Sequence, residues 1–532
     1  MRQHTPEPPE ADVVDPSLPA TLQDLSALEE LDLDRLGRQR PETFSTAISE
    51  IFFCSSMLIS MLMSEYFISG FNIVLPTVAV QLDIPDSSKV WPSSVFSLVA
   101  GAFLLPLGRI ADIYGGYFVF VSGLAWFCVW TLIAGFSQNY QMLIAARALQ
   151  GLGPAAFLPT GIMILGKIYR PGPRKNLIFS LYGAFAPLGF FLGVIMGGVT
   201  GQYLTWRWYF WLGAIILGMA CVGAVFSVPR EKFQEKGVEM DYWGIATIVP
   251  ALVLIVFAVT DGAHAPKGWG TNYIIITFVI GVVLLGLSFY VEGWVSSQPL
   301  LPASLFKPKY MKTLVVSLIF SYGNFGLFVY YASFYLYDVM GYSIMYTALA
   351  FIPMAAGGIV LATVGGFTLH LLSGRILLII SGMGSVASVL LFALIPEGGS
   401  YWAYILPAMI GCTIGIDIAY NVTNVFITTN IPQKHQGAAG ALINSLLFLP
   451  ISLFLGLADV VAASYESKGQ MESYKAAFWF GTGCAAFALV LFFFIDTGKA
   501  ESQLRVEEKE ALEEGPIRDT RVVDEAPGIQ QV

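Results

Sequence analysis

Long apolar segments alternate with short polar breaks along most of this 532-residue chain. A helix of about 20 predominantly apolar residues can cross the ~30 Å hydrocarbon layer of a bilayer. Glycine is frequent within the segments, and small residues let helices approach closely in lipid. The pattern predicts fourteen transmembrane helices, at about 51–80, 93–108, 117–136, 140–166, 176–199, 206–227, 242–260, 272–294, 312–337, 343–367, 376–394, 400–428, 436–458 and 476–495.

The two ends of the chain have the opposite character. Residues 1–46 carry ten acidic and four basic side chains with several prolines, and residues 499–532 carry nine acidic and five basic side chains. Sequences with high charge and few apolar residues do not bury enough surface to fold. We therefore expect a disordered acidic tail at 1–46 and a second acidic tail at 499–532.

Composition narrows the class of protein. Hydrophobic residues make up 56% of the chain and charged residues only 12%, about half the share of a soluble domain. This composition excludes a soluble enzyme, a nucleic-acid binder and a disordered scaffold, and it predicts an integral membrane protein. The five cysteines and four histidines are too scattered to form a metal site, so we expect no metal and no cofactor.

Basic residues in the loops predict the orientation. If the N-terminus is cytoplasmic, the cytoplasmic loops carry thirteen lysines and arginines and the opposite loops carry five. Cytoplasmic loops of membrane proteins are enriched in these residues. We expect both termini in the cytoplasm and a multi-pass protein of the plasma membrane.

Three formal charges lie deep within the predicted spans: Glu65 in the first, Arg147 in the fourth and Asp417 in the twelfth. Ionisable residues are costly in hydrocarbon and usually face a cavity, pair with each other or bind backbone carbonyls. A carboxyl group in such a place can load and release a proton. Static helix contacts are the alternative for each of the three residues.

The loop after the second span has the sequence GRIADIYGGYF. Gly108 permits close helix approach, Asp112 can cap a helix end, and Gly115 can turn the chain. A weaker echo, GGFTLHLLSGR, follows the tenth span and places His370 and Arg375 at similar positions. Two copies of one turn are expected of a duplicated bundle.

These segments resemble the major facilitator superfamily, and specifically its fourteen-span drug:proton antiporter family. The resemblance rests on the loop motif above, on RALQGLG beginning at Arg147, and on WRWYFW opening the sixth span, and it covers roughly residues 47–497. WPSSVFSLVAGAF, YRPGPRKN and QGAAGALINS also resemble the fungal aminotriazole-resistance subgroup. The resemblance implies an all-α membrane fold with an N-terminal six-helix bundle (47–229), an extra two-helix linker (230–296) and a C-terminal six-helix bundle (297–498).

Together with the buried charges, the resemblance predicts site residues. We expect Arg147 to tune a carboxylate, Glu65 and Asp417 to carry protons, and Gln150 and Asn72 to line the substrate cavity. Many members of the family have an acid near Phe67, and here Glu65 stands two residues earlier. The fifth-span antiporter motif keeps Pro187 but lacks several of its usual glycines, so the direction of transport is less specified than the fold.

Span 9 carries polar and aromatic residues on one helical face. Their spacings of four, three and four residues place Asn324, Phe328, Tyr331 and Tyr335 together. In the superfamily the corresponding helix lines the central cavity, so this face is a candidate substrate surface. Aromatic packing within the bundle is the alternative. Further cavity candidates are Asn421, Asn424 and Asn444.

The functional hypothesis is proton-coupled export of a small organic compound by alternating access, with the substrate, protons and the lipid bilayer as partners. The protein would act as a monomer and bind no nucleic acid. The main alternative is proton-coupled or uncoupled uptake of a small polar solute such as ammonium or borate. A transporter-like sensor is a third possibility, and no nucleophile–base constellation indicates an enzyme.

Overall fold

The computed structural model describes residues 39–170, 172–230, 237–368, 372–431 and 433–496, and the side chains of all of these except 362–368, 428 and 433–437. It contains fourteen helices long and apolar enough to span a membrane, which confirms the predicted number of spans. Within the described ranges the chain contains no β-strand.

The first six helices form one group. They are α1 (Ala47–Gln81), α2 (Trp91–Tyr114), α3 (Gly116–Gly135), α4 (Tyr140–Ile168), α5 (Pro173–Tyr203) and α6 (Trp206–Ser227). The main contacts within this group join α1 to α5 and α6, and α4 to α2 and α3. We call the membrane side where α1 begins the tail side and the opposite one the far side.

The last six helices form a second group. They are α9 (Met311–Phe334), α10 (Ile344–Thr368), α11 (Gly374–Leu394), α12 (Leu406–Asn430), α13 (Gln433–Tyr465) and α14 (Gln470–Phe493). A π-helical turn, Tyr335–Val339, extends α9, and another, Tyr401–Ile405, precedes α12. The strongest contacts join α11 to α12 and α14, and α9 to α13 and α14.

Two helices separate the groups along the chain: α7 (Tyr242–Gly262) and α8 (Asn272–Tyr290), the latter extended by a π-helical turn at Val291–Val295. We call this pair the insert. It packs through α7 against α2 of the first bundle and α13 of the second, while α8 contacts mainly α7. The insert therefore lies beside the boundary between the bundles.

The two bundles meet along α5–α10 and along α2–α13. Toward the far side, a Cβ on Gly198 would contact Ala348, and a Cβ on Gly201 would contact Ile344. On the other seam, the hydroxyl groups of Ser94 and Ser452 are hydrogen-bonded at 2.6 Å. Small residues allow this close helix approach. The seams are therefore closed toward the far side.

Candidate functional site

The face of α1 that meets the second bundle carries Glu65, Ile68 and Asn72. Their spacing of three and four residues places them on one side of the helix. Asn72 is buried, its amide nitrogen donates to the Ile68 carbonyl at 2.8 Å, and its amide oxygen accepts from the Ser93 hydroxyl at 2.7 Å. Glu65 is half-buried. These two hydrogen bonds fix the orientation of the Asn72 amide group on this face.

Glu65 and Asp417 come from different bundles and interact electrostatically with each other. The Thr413 hydroxyl donates to Asp417 Oδ2 at 2.7 Å, whereas the Glu65 carboxylate has no hydrogen bond to any residue that the structure describes. Among the described residues, no basic side chain forms an ion pair with either acid. The two carboxyl groups therefore form an uncompensated acid pair across the boundary.

Pro187 lies at the same meeting point. A Cβ added to Gly358 of α10 would lie 3.1 Å from Asp417 Oδ2 and 3.2 Å from Pro187 Cβ. A glycine at this position thus lets α5 of the first bundle approach the acid on α12 of the second. Pro187 of the fifth-span motif, Gly358 and Asp417 converge in one place.

Two tyrosines are coupled to the acid pair, and the sequence-based predictions did not include them. Tyr420, three residues after Asp417 on α12, interacts electrostatically with Glu65. Tyr182 on α5 interacts with Tyr420, and its buried hydroxyl has no hydrogen-bond partner within the described part of the chain. The three-residue spacing from Asp417 was the one signal in the sequence that could have identified Tyr420.

Arg147 is fully buried, with an exposed fraction of 1%. Its guanidinium lies between the rings of Phe71 and Phe96, 4.2 Å and 4.3 Å from their centroids. Nη2 donates to the Phe67 carbonyl at 3.2 Å and Nε donates to the Pro92 carbonyl at 3.1 Å. Arg147 thus joins α4 to both α1 and α2.

Gln150 completes this arrangement within the first bundle. Its amide oxygen accepts from Arg147 Nη1 at 2.8 Å, and its amide nitrogen donates to the Thr131 hydroxyl at 2.7 Å. Because every recorded partner is in the first bundle, Gln150 anchors Arg147 and does not face the second bundle. None of the partners of Arg147 among the described residues is a carboxylate, so the expected contact between Arg147 and a proton-carrying acid is absent there.

A narrow pocket lies between the bundles. Relative to the acid pair, it is displaced toward the far side of the membrane. Its first-bundle wall comes from α1, α2 and α4, and its second-bundle wall comes from α9 and α13. It is lined by Ile68, Asn72, Ser93, Ser97, Arg147, Phe325, Gly326, Val329, Ile451 and Leu455. Apart from Ile68, the first-bundle wall of the pocket is polar, and the second-bundle wall is apolar.

The cavity-facing side of α9 differs from the predicted one. Phe325 and Val329 line the pocket, and Phe325 also contacts Phe190 of α5, with ring centroids 6.3 Å apart. They lie on a different face of α9 from the predicted set of Asn324, Phe328, Tyr331 and Tyr335. Both faces of α9 are aromatic, so helical spacing did not distinguish them.

The predicted face packs inside the second bundle instead. Phe328 meets the ring of Phe392 on α11 at 5.4 Å. On α14, Phe478 contacts the rings of both Tyr331 and Tyr335. The amide nitrogen of Asn324 donates to the Ser385 carbonyl at 3.4 Å. These four residues are therefore corrected from cavity lining to core, since aromatic packing between helices buries them.

The side chains of three asparagines on α12 and α13 are hydrogen-bonded to the backbone of their own helices. The amide groups of Asn421, Asn424 and Asn444 donate to the carbonyl groups four residues earlier, at 2.8 Å, 3.0 Å and 2.9 Å. The carbonyl that Asn421 binds is that of Asp417. Asn421 and Asn424 are half-buried and Asn444 is buried. Asn421 is thus linked to the acid pair through the helix backbone.

The loop motif forms a tight turn between α2 and α3. Gly115 has φ 97° and ψ 147°, a conformation that favours glycine, and it ends α2. A Cβ on Gly108 would make ordinary contact with Pro159 of α4 at 3.4 Å, and Asp112 is half-buried near the end of α2. In the echo, His370 lies outside the described residues, and Arg375 donates to the Phe493 carbonyl at 2.6 Å.

Residues 57–455 match the model of the Major Facilitator Superfamily. Among curated proteins, the efflux pump terJ of Aspergillus terreus (strain NIH 2624 / FGSC A1156) is 29% identical over 91% of this chain and 94% of its own. The low affinity ammonium transporter of Saccharomyces cerevisiae (strain ATCC 204508 / S288c) is 30% identical over 75% of this chain and 79% of its own. The aminotriazole resistance protein of the same yeast is 29% identical over 85% of both chains.

The fold is also similar to solved transporter structures. A crystal structure of the peptide transporter POT in complex with sulfate superimposes with a TM-score of 0.62, covering 88% of this chain and 99% of the other. The two sequences are 15% identical, so the similarity concerns the fold alone.

Proposed function

This chain belongs to the Major Facilitator Superfamily of membrane transporters, and from that membership we propose that it is a proton-coupled antiporter that exports a small organic compound by alternating access. The observation that carries the proposal is the uncompensated pair of Glu65 and Asp417, one on each bundle. A proton carrier in such a cycle must change its charge as the bundles rearrange, and these two acids lie where the bundles meet.

Coulomb repulsion supplies the coupling. Two carboxylates facing each other in a poorly hydrated cavity repel, and the repulsion falls when a proton or a cationic group neutralises one of them. Because Glu65 moves with the first bundle and Asp417 with the second, protonation would change the preferred distance between the bundles. Proton binding and bundle rearrangement are thereby linked.

Arg147 has a mechanical part in this proposal. By donating to carbonyl groups on α1 and α2, it holds the helix that carries Glu65 against the rest of the first bundle. A rigid first bundle transmits a change at Glu65 to the whole seam with α10 and α13. The role assigned here to Arg147 is therefore positioning, and it does not require direct contact with a carboxylate.

The chemistry of the pocket walls, rather than the present pocket volume of about 10 Å³, supports a small organic substrate, because the pocket has to widen as the bundles rearrange. Amide, hydroxyl and guanidinium groups line one wall and Phe325, Val329 and two aliphatic side chains line the other, which suits a compound with one polar and one apolar side. Two curated relatives are named for efflux and for aminotriazole resistance. These names support export of such a compound.

Uptake of ammonium is the second candidate, and it is favoured by the relative named as a low affinity ammonium transporter. The acid pair suits a cation as well as a proton. In this case the solute would move down its gradient or together with protons, and the same carboxyl groups would bind it.

The topology completes the proposal. Fourteen spans are an even number, so α1 begins and α14 ends on the same side of the membrane. We assign that tail side to the cytoplasm because it carries most of the loop lysines and arginines, and we assign the protein to the plasma membrane as a monomer.

The test uses the full chain in proteoliposomes with a pH-sensitive dye in the lumen. Radiolabelled aminotriazole and radiolabelled methylammonium are added as separate probes, with empty liposomes as the control for passive leak. Protons leaving the lumen as aminotriazole enters would support antiport. Protons entering together with methylammonium would support the uptake candidate. Flux of either probe without proton movement would overturn proton coupling.

A further inference from the structure

The insert crosses the α2–α13 seam near the far side. On the first bundle, Phe257 of α7 contacts the ring of Trp91 on α2, with centroids 5.6 Å apart. On the second bundle, a Cβ on Gly456 of α13 would lie 3.2 Å from the backbone of Thr260 on α7. The same helix therefore touches both bundles at the end where the seam is closed.

An ion pair fastens the far side of the insert to the second bundle. His264, in the loop after α7, has its Nε2 atom 2.9 Å from Oδ2 of Asp459 on α13. The side chains are only 14% and 13% exposed. An interaction shielded in this way is screened less by salt than a surface pair.

A different contact fastens the tail side of the insert to the first bundle. Arg109 at the end of α2 donates to the Glu239 carbonyl at 3.1 Å and to the Gln298 amide oxygen at 2.9 Å. The Gln298 amide nitrogen donates to the Gly237 carbonyl at 2.7 Å. Arg109 thus holds both the segment that enters the insert and the segment that leaves it.

These two attachments differ in chemistry. The arginine remains charged throughout the accessible pH range, whereas a histidine loses its charge near neutral pH. We propose that the insert is a tie across the α2–α13 seam, with Arg109 as its permanent anchor on the first bundle and His264–Asp459 as its releasable anchor on the second. Release of this anchor lets the far side open. The inference rests on the proposed alternating-access function for its purpose, and its structural test is independent of transport.

The surroundings of His264 define its response to pH. Three acidic side chains act on it: Asp459 on α13, Asp261 on α7 and Glu466 after α13. Asp459 in turn interacts with Asp86 in the loop between α1 and α2. The hydrogen bond that the His264 ring donates to the Asp459 carboxylate raises the pKa of His264 above its ordinary value of 6.5. The charged anchor is therefore complete at pH values below that ordinary value, and it weakens as pH rises through the raised pKa.

The test measures the far-side distance between the bundles without substrate. In a cysteine-free full-length chain in lipid nanodiscs, Tyr203→Cys at the end of α5 and Tyr346→Cys on α10 carry spin labels, because both positions are exposed. Pulsed electron paramagnetic resonance then gives the distance distribution at about pH 5.5 and about pH 8. We expect a short distance at the lower pH and a several-fold larger long-distance population at the higher pH.

Two substitutions of His264 should shift the distance distribution between the spin labels in opposite directions. His264→Gln removes the charge and should give the long-distance population at both pH values, while His264→Arg keeps the charge and should give the short distance at both. Lys475→Gln is the matched control, since it breaks another far-side ion pair, Lys475–Glu472, that lies within α14. Thermal unfolding of each variant checks that it is folded.

Arg109→Gln tests the other anchor. His264 still titrates in this variant, but its charge can no longer draw the first bundle toward the second, so the distance should lose most of its pH dependence. A pH-dependent distribution in His264→Gln that equals that of the parent chain would overturn the tie. Loss of transport with intact pH-dependent distances would count against the proposed function alone.

Discussion

Glu65 on α1 and Asp417 on α12 interact electrostatically across the boundary between the two bundles, and within the described residues neither forms an ion pair with a basic side chain. The buried guanidinium of Arg147 is hydrogen-bonded to two carbonyl groups and one amide. In the proposed function, the acid pair binds a mobile cation, either the proton or a substrate.

Neutralising either acid should abolish coupling. Glu65→Gln and Asp417→Asn keep the size of each side chain but cannot exchange a proton, so pH-driven flux in proteoliposomes should fall to the level of empty liposomes. Glu472→Gln, at an exposed position, is the control and should transport normally. Full coupled transport by both acid variants would refute the assignment of these residues.

Arg147 should be needed for the stability of the first bundle. Arg147→Met removes the hydrogen bonds that join α4 to the Phe67 and Pro92 carbonyl groups and leaves the buried Gln150 amide oxygen without its donor, and an unsatisfied buried polar group costs about 1–3 kcal/mol. We expect a clearly lower midpoint of thermal unfolding in detergent. Arg147→Lys keeps a charge but loses the planar set of donors, so it should restore only part of the loss. An unchanged midpoint in Arg147→Met would contradict the positioning role.

Gly189 should be irreplaceable in the contact of α5 with α1. A Cβ at this position would overlap the backbone of Leu62, which has no flexible end to move aside. Overpacking costs about 1–3 kcal/mol or more, so Gly189→Ala should reduce the yield of folded protein in size-exclusion chromatography. Gly183→Ala is the matched control on the same helix, because its Cβ would meet nothing within 4 Å. Equal yields of the two variants would contradict this packing.

Glu50 and Arg174 should stabilise the tail side of the first bundle together. Arg174 donates from Nε at 2.9 Å and from Nη2 at 2.5 Å to the buried Glu50 carboxylate, which also accepts from the Tyr169 hydroxyl. Arg174→Gln leaves a buried charge without its cation, and we expect a loss of about 1–3 kcal/mol because Arg174 is one-third exposed. Adding Glu50→Gln should recover part of it. Additive losses in the double variant, measured by thermal unfolding, would contradict a direct pair.

Stability should depend on pH through His264. Asp459 raises the pKa of His264, so protonation of His264 stabilises the folded state. This stabilisation is complete below the ordinary histidine pKa of 6.5, and it is lost as pH rises through the raised pKa. As pH rises from 6.5 through the raised pKa, the midpoint of thermal unfolding should therefore fall more in the parent chain than in His264→Gln. Parallel pH profiles of the two chains would exclude the contribution.

Sequence patterns alone did not determine which residues of the candidate site lie together. Helical spacing placed Asn324, Phe328, Tyr331 and Tyr335 on one face, and that grouping agrees with the α9 helix. It did not determine whether the face meets the other bundle or the helices of its own. Tyr182 and Tyr420 are far apart along the chain, so nothing local linked either of them to Glu65.

The sequence by itself determined that this chain is a fourteen-helix membrane protein of the major facilitator type. The free energy of transferring a segment into lipid is the sum over the residues of that segment, and the RALQGLG and GRIADIYGGYF motifs are each contiguous in the chain. Both signals can therefore be read without knowing the tertiary contacts. Only the tertiary structure decided which face of α9 lines the pocket, that Arg147 binds carbonyl groups, and that the insert is fastened to both bundles. Such choices depend on how helices distant in sequence pack, and the local periodicity of one helix is compatible with several neighbours.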